Sequence, residues 1–169
     1  MGRAMKSTKI GAQIKRVKED NGSETLKATV LVNLIFEKSF DAKRLNEELR
    51  EFEDKYIKLV DSLKTISKLI KARQRKGKVI LYWMFGDEIY ESTKENKNST
   101  LFLENPIAHL VRDTGISEQM INRCKKFRLY YPSVNEIDLD RSFDSYVKTF
   151  EQSYVSAKKR SKPKEPKHA

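Results

Sequence analysis

Late in the chain, a run of polar side chains has the types and spacing to read nucleic-acid bases. It comprises Ser117, Glu118, Gln119, Asn122, Arg123 and Lys126, flanked by Lys125 and Arg128. Arg and Lys donate to the guanine edge, and Asn and Gln pair with adenine through two hydrogen bonds at once. An earlier run, Lys71, Arg73, Arg75, Lys76 and Lys78, carries positive charge with no acidic neighbour. Cations of this kind hold phosphates. Phosphate contacts position a protein on a duplex, and base contacts specify the site.

The elements that must position these groups are legible around them. Asn105 can cap a helix, and Pro106 suits the first helical position, where its missing N–H costs nothing. Ile107, Leu110 and Val111 give one apolar face. Thr114-Gly115 stops that helix, since glycine takes the left-handed conformation cheaply. Ser117 caps a second helix that runs to Tyr131, with Pro132 ending it. Two short helices joined by a glycine-containing turn form the helix-turn-helix pattern, here over 106–131. Met120, Cys124, Phe127 and Tyr131 share the inner side of the second helix, and Asn122 and Lys126 lie opposite. The same hairpin could serve as a plain surface element, and the charge of the chain favours the nucleic-acid reading.

The chain has 169 residues, a net charge of +11 and a sequence pI near 9.6. Residues 1–18 hold six basic residues and no acid, 62–86 hold seven and none, and 158–169 hold six and one. Blocks of this kind are the footprint of a polyanion binder. DNA and structured RNA both fit the charge. The length suits one domain with an appended element. A single cysteine, Cys124, excludes an internal disulfide and reads as a buried thiol. No apolar run is long enough to span a membrane, and the N-terminal charges are not followed by an apolar core. The expected location is cytoplasmic and nucleoid-associated.

The expected fold class is mainly α with a small N-terminal β-hairpin (α+β), built on a long amphipathic helix and a helix-turn-helix. Residues 1–38 form a basic arm and a hairpin, with strands near 9–18 and 25–36 and a turn at Asp20-Asn21-Gly22-Ser23. Residues 39–157 form the helical domain. Within it, Leu45, Leu49, Phe52, Tyr56, Leu59, Leu63, Ile66 and Ile70 make a heptad seam. The seam suits either a coiled-coil homodimer or an internal core. Ile57, Val60 and Leu69 widen it in the second half, which favours the core there. Gly77 bends or ends this helix, and VILYWMFGDEIYE follows as the most apolar stretch, with Trp83 in the core. Asp87, Glu88 and Glu91 read as a solvated face, 92–100 as a loop leading through Leu101-Phe102-Leu103, and 133–141 as an irregular link. A last helix begins near Ser142 or Asp144 and ends near Lys158. The basic tail, 158–169, has almost nothing apolar to bury and is expected to be disordered.

The motifs YW..G, TGIS and F..YYP, within KLIKARQRKGKVILYWMFGDEIYE and INRCKKFRLYYPS, make residues from about 56 to 155 resemble the N-terminal domain of the YhcG-type proteins. The resemblance implies a mostly helical DNA-binding domain, one usually joined to a nuclease domain of the PD-(D/E)XK type. The residues after this stretch offer no recognisable set of nuclease carboxylates and lysine, so nuclease activity is not expected to carry over. The N-terminal hairpin has no counterpart in that family.

Enzyme chemistry is not indicated. His109 and His168 are the only histidines, and with Cys124 they make no credible metal set. No Walker A loop or GxGxxG occurs among six glycines. No cofactor or small-molecule ligand is expected. The function expected is that of a sequence-specific binder of double-stranded DNA, acting as a transcriptional regulator or a plasmid or virus partition or replication factor. The alternatives are an adaptor that binds a partner through the 45–70 helix, and an accessory subunit of a nuclease.

Overall fold

The computed structural model describes residues 10–30, 42–73, 77–96, 99 and 101–160, with the backbone alone at 42 and over 153–160. The N-terminal arm, residues 31–41, and the tail from 161 lie outside the described residues, as does the expected strand continuation over 31–36. The fold is mainly α with a small β part.

Ile10, Ala12 and Ile14 alternate with Gly11, Gln13 and Lys15, and that period of two makes β1 (Ile10–Lys18) with Ile10, Ala12 and Ile14 buried. Gly22, at φ 81°, reverses the chain into β2 (Glu24–Val30). The two strands pair antiparallel, with Ile14 opposite Ala28. A third strand, β3 (Leu101–Leu103), runs parallel to β1 on its other side, with Ile10 opposite Leu101. The sheet order is therefore β2-β1-β3. This corrects the reading of Leu101-Phe102-Leu103 as a lead-in. Three residues are too few for a periodic signal, but Leu101 is fully buried and the strand closes the edge of β1.

The long helix α1 (Ala42–Ala72) turns its apolar stripe inward. Phe52, Tyr56, Val60, Leu63 and Ile66 are buried, while Leu45, Leu49, Leu59 and Ile70 pack partly against the same core. Val60 thus takes the central place that the heptad reading gives to Leu59. The stripe packs on β2, β3 and the helices α2 (Lys78–Glu95) and α3 (Pro106–Thr114). The seam is an internal face of this fold. Gly77 separates α1 from α2 with φ 74°.

Two more helices complete the core. In α4 (Glu118–Tyr130), Ile121, Cys124 and Phe127 are fully buried, packed mainly against α2. Gly86 makes that approach possible: a Cβ there would lie 2.1 Å from the Cys124 carbonyl oxygen. The link after α4 is more ordered than expected, because Ser133 and Glu136 form a reciprocal capping box on the turn Val134–Glu136. Then α5 (Phe143–Arg160) adds Phe143, Tyr146, Val147 and Phe150. Its backbone runs two residues past the expected end, so residues 158–160 belong to a helix and not to the tail. Phe127 is ringed by Tyr131, Phe143 and Tyr146, at 5.4, 5.4 and 5.0 Å between centroids. No helix among the described residues is long and apolar enough to cross a membrane.

Candidate nucleic-acid interface

The pair α3 and α4 is joined by Gly115, Ile116 and Ser117. Gly115 sits at φ 70° and donates its N–H to the Val111 carbonyl at 3.0 Å, closing α3. The Ser117 hydroxyl accepts from the Met120 N–H at 3.3 Å and so caps α4. Asn105 acts differently from expectation. It adopts φ 49° and ψ 55°, and its side chain makes no capping bond. The backbone must turn sharply here, since the Glu104 N–H is still bonded to Ala12 of β1 at 3.0 Å. Asparagine tolerates the left-handed conformation that this turn needs.

One buried charge anchors α3. The Asp113 side chain is 1 % exposed. It accepts from the Tyr56 hydroxyl at 2.8 Å, from Arg16 Nε at 3.2 Å, and from Arg112 Nε and Nη2 at 2.7 Å each. Arg16 Nη2 also donates to the Arg112 carbonyl at 2.7 Å. Burial pushes the Asp113 carboxyl up, but the hydrogen bonds from Arg112, Tyr56 and Arg16 outweigh it and hold the carboxyl below its ordinary value. The Tyr56 phenol is pushed well up by burial and by the adjacent carboxylate. The cluster ties β1, α1 and α3 together at the base of the helix pair. His109, on α3, is driven toward its neutral form by burial and by Arg112.

The residues expected to face a groove divide on this scaffold. Ser117, Glu118, Gln119 and Lys126 are exposed. Asn122 and Lys125 are half-buried, and Asn122 Nδ2 donates to Glu118 Oε1 at 3.5 Å. Arg123 turns toward α5, with its Nε 3.5 Å from the Glu151 carboxylate and shielded from solvent. Arg128 is a correction. Its side chain is 13 % exposed and its guanidinium pairs with Asp87 of α2. It lies 5.0 Å from the Trp83 ring centroid and 4.6 Å from that of Tyr90. Arg128 therefore struts α4 against α2 and is no groove-facing group. The same pair gives Asp87 a cationic partner while its side chain stays 33 % exposed. Trp83 packs as expected and donates Nε1–H to the Tyr131 carbonyl at 2.7 Å.

At the end of α1, Lys71 and Arg73 are exposed, and Lys78 is half-buried at the start of α2. Arg75 and Lys76 lie outside the described residues. Cys124 is fully buried, and burial pushes its thiol far up. Arg16, Tyr56 and Asp113 carry the anchoring cluster and have no signature in the chain, because they come from three elements and up to 97 residues apart. No protein-family model, curated protein or solved structure matches the chain.

Proposed function

We propose that the chain is a sequence-specific binder of double-stranded DNA that presents the outer side of α4 to the major groove. The roles that fit are those of a transcriptional regulator or of a plasmid or virus partition or replication factor. The observation that carries this reading is the division of α4 into two faces. Ile121, Cys124 and Phe127 are fully buried, while Glu118, Gln119 and Lys126 stay at the surface with Asn122 beside them. A short glycine turn joins α4 to a helix that is itself pinned by a buried charge cluster. That arrangement holds a polar helix rigidly against a neighbour, as reading base edges requires. The net charge of +11 supplies the attraction to phosphate. The resemblance to YhcG-type N-terminal domains agrees with it. The adaptor alternative has less support, since the α1 stripe that it would use is largely buried.

Gln119 and Asn122 are the proposed base readers, and Lys126 is a proposed phosphate contact. Arg123 is set aside because it faces Glu151. The test is selection of bound fragments from a random duplex pool, followed by binding of alanine variants. Gln119→Ala and Asn122→Ala should weaken binding to the enriched site by about 1–3 kcal/mol and change random-sequence binding far less. Unchanged affinity for both would remove α4 as the reader. An inverted repeat in the enriched fragments identifies a two-fold pair of copies on the DNA.

A further inference from the structure

We infer that the outer face of the last three turns of α1, carrying Lys64, Lys68 and Lys71, is a second DNA-contacting surface that tracks the phosphate backbone. The inference rests on the DNA-binding reading and adds a surface remote in sequence from α4. Asp61 is the last acid of α1, and every charged residue from there to Asp87 is basic. Lys64, Lys68 and Lys71 are spaced four and three apart, which places them on one side of the helix. All three are exposed, as is Arg73, and none has an acidic partner among the described residues. The first half of the helix differs, mixing signs and pairing them, as in Arg44 with Glu48 at 3.3 Å.

Helix stability does not account for the row. Cations favour the C-terminal end of a helix, but that effect fades within the last turn. Lys64 and Lys68 lie before the last turn of a helix that ends at Ala72. Like charges at this spacing repel and cost the isolated helix a few tenths of a kcal/mol. The geometry suits a nucleic-acid strand. At about 1.5 Å of rise per residue, Lys64 to Lys71 spans roughly 10 Å, a length of duplex axis along which one strand passes about three phosphates at 3.4 Å of axial rise each. A membrane surface fits less well, because a helix lying on lipid needs a broad exposed apolar face. The apolar stripe of α1 is turned into the core, and Leu69 is its one large side chain left exposed among the described residues.

The experiment compares two triple variants with equal loss of charge. One is Lys64→Gln, Lys68→Gln and Lys71→Gln. The other, a control, is Lys55→Gln, Lys58→Gln and Lys148→Gln, at exposed positions off this row. Binding to a random-sequence duplex is measured across salt concentrations, with circular dichroism confirming the fold of each. The row variant should have a log K against log salt slope shallower by up to about 2.7, at roughly 0.9 for each phosphate no longer neutralised. The control should keep the wild-type slope, and replacing the three row lysines by arginine should restore it. If wild-type protein binds the duplex and both variants lose slope equally, the row has no special role and this inference alone fails. If wild-type protein binds anionic vesicles or an acidic polypeptide and not the duplex, the DNA reading fails together with it.

Discussion

Asp113 shows how much depends on a residue that no motif marks. A carboxylate this deeply buried is tolerable only if its lone pairs are filled, and Tyr56, Arg16 and Arg112 fill them. Asp113→Asn keeps the shape but replaces charge-assisted bonds with a neutral amide, one side of which is a donor facing donors. Its expected cost is about 2–3 kcal/mol at pH 7, held there because both guanidinium groups keep some solvent. The pH dependence has a definite sign. The folded carboxyl titrates below its unfolded value of about 3.9, so its contribution is fully present above that pH and fades as pH falls through the folded value. Urea unfolding of both proteins at pH 7 and pH 3 should therefore show the gap closing at the lower pH. An equal gap at both would mean the charge is not what holds the cluster. Arg128 marks the limit of reading single residues from sequence. Its position on α4 suits a flank of the outer face, but the aromatic slot between Trp83 and Tyr90 and the Asp87 carboxylate belong to a helix forty residues earlier. A guanidinium packs over rings as readily as it faces water, so helical spacing alone does not decide which it does. Arg128→Ala should consequently lower the melting temperature while leaving random-duplex affinity close to wild type. A loss of affinity at unchanged stability would return Arg128 to the interface.

At the scale of elements, the sequence is most informative where a period persists or a stop signal is sharp. The 31 residues of α1, the Gly115 stop, the Ser117 cap and the Gly22 turn are all of this type. The third strand is not, because its three residues gain their structure only from β1. Nor does the sequence reveal how closely α2 and α4 approach, although Gly86 allows it. Here two glycines can be set against each other. An added Cβ at Gly86 meets the Cys124 backbone at 2.1 Å from its oxygen and 2.8 Å from its carbon, neither of which can move without shifting α4. An added Cβ at Gly11 meets Glu104 Oε1 at 2.5 Å, the far end of a flexible side chain. Gly86→Ala should thus cost about 3 kcal/mol or more, as overpacking at a rigid contact does. Gly11→Ala should change stability by less than about 1 kcal/mol, since the carboxylate can swing away. Chemical denaturation orders the two directly. Equal effects would mean that α2 and α4 are not in backbone contact.

For the whole molecule, the question is which surface α1 offers outward. Its apolar periodicity suits a dimer seam and an internal core equally, because both bury one stripe of a helix. The structure assigns the stripe inward: Tyr56, Val60, Leu63 and Ile66 meet the sheet and the other helices in one core with Ile14, Phe85 and Leu101. The face left outside is the charged one, which suits the proposed contact with a polyanion better than one with a partner helix. The distinction has a thermodynamic signature. Leu63 is fully buried, and Leu63→Ala should cost about 2–5 kcal/mol through lost transfer energy and the cavity left behind. If the stripe is internal, the fall in melting temperature is the same at every protein concentration. If it joined two copies, the folded state would be linked to association, and wild-type protein would melt higher as concentration rises. Thermal melts over a hundredfold range of concentration separate these cases. Leu69→Ala, at a position 49 % exposed on the same helix, supplies the comparison and should shift stability by no more than about 0.5 kcal/mol. A concentration-dependent midpoint for wild type that Leu63→Ala abolishes would place the stripe between copies and overturn the internal assignment.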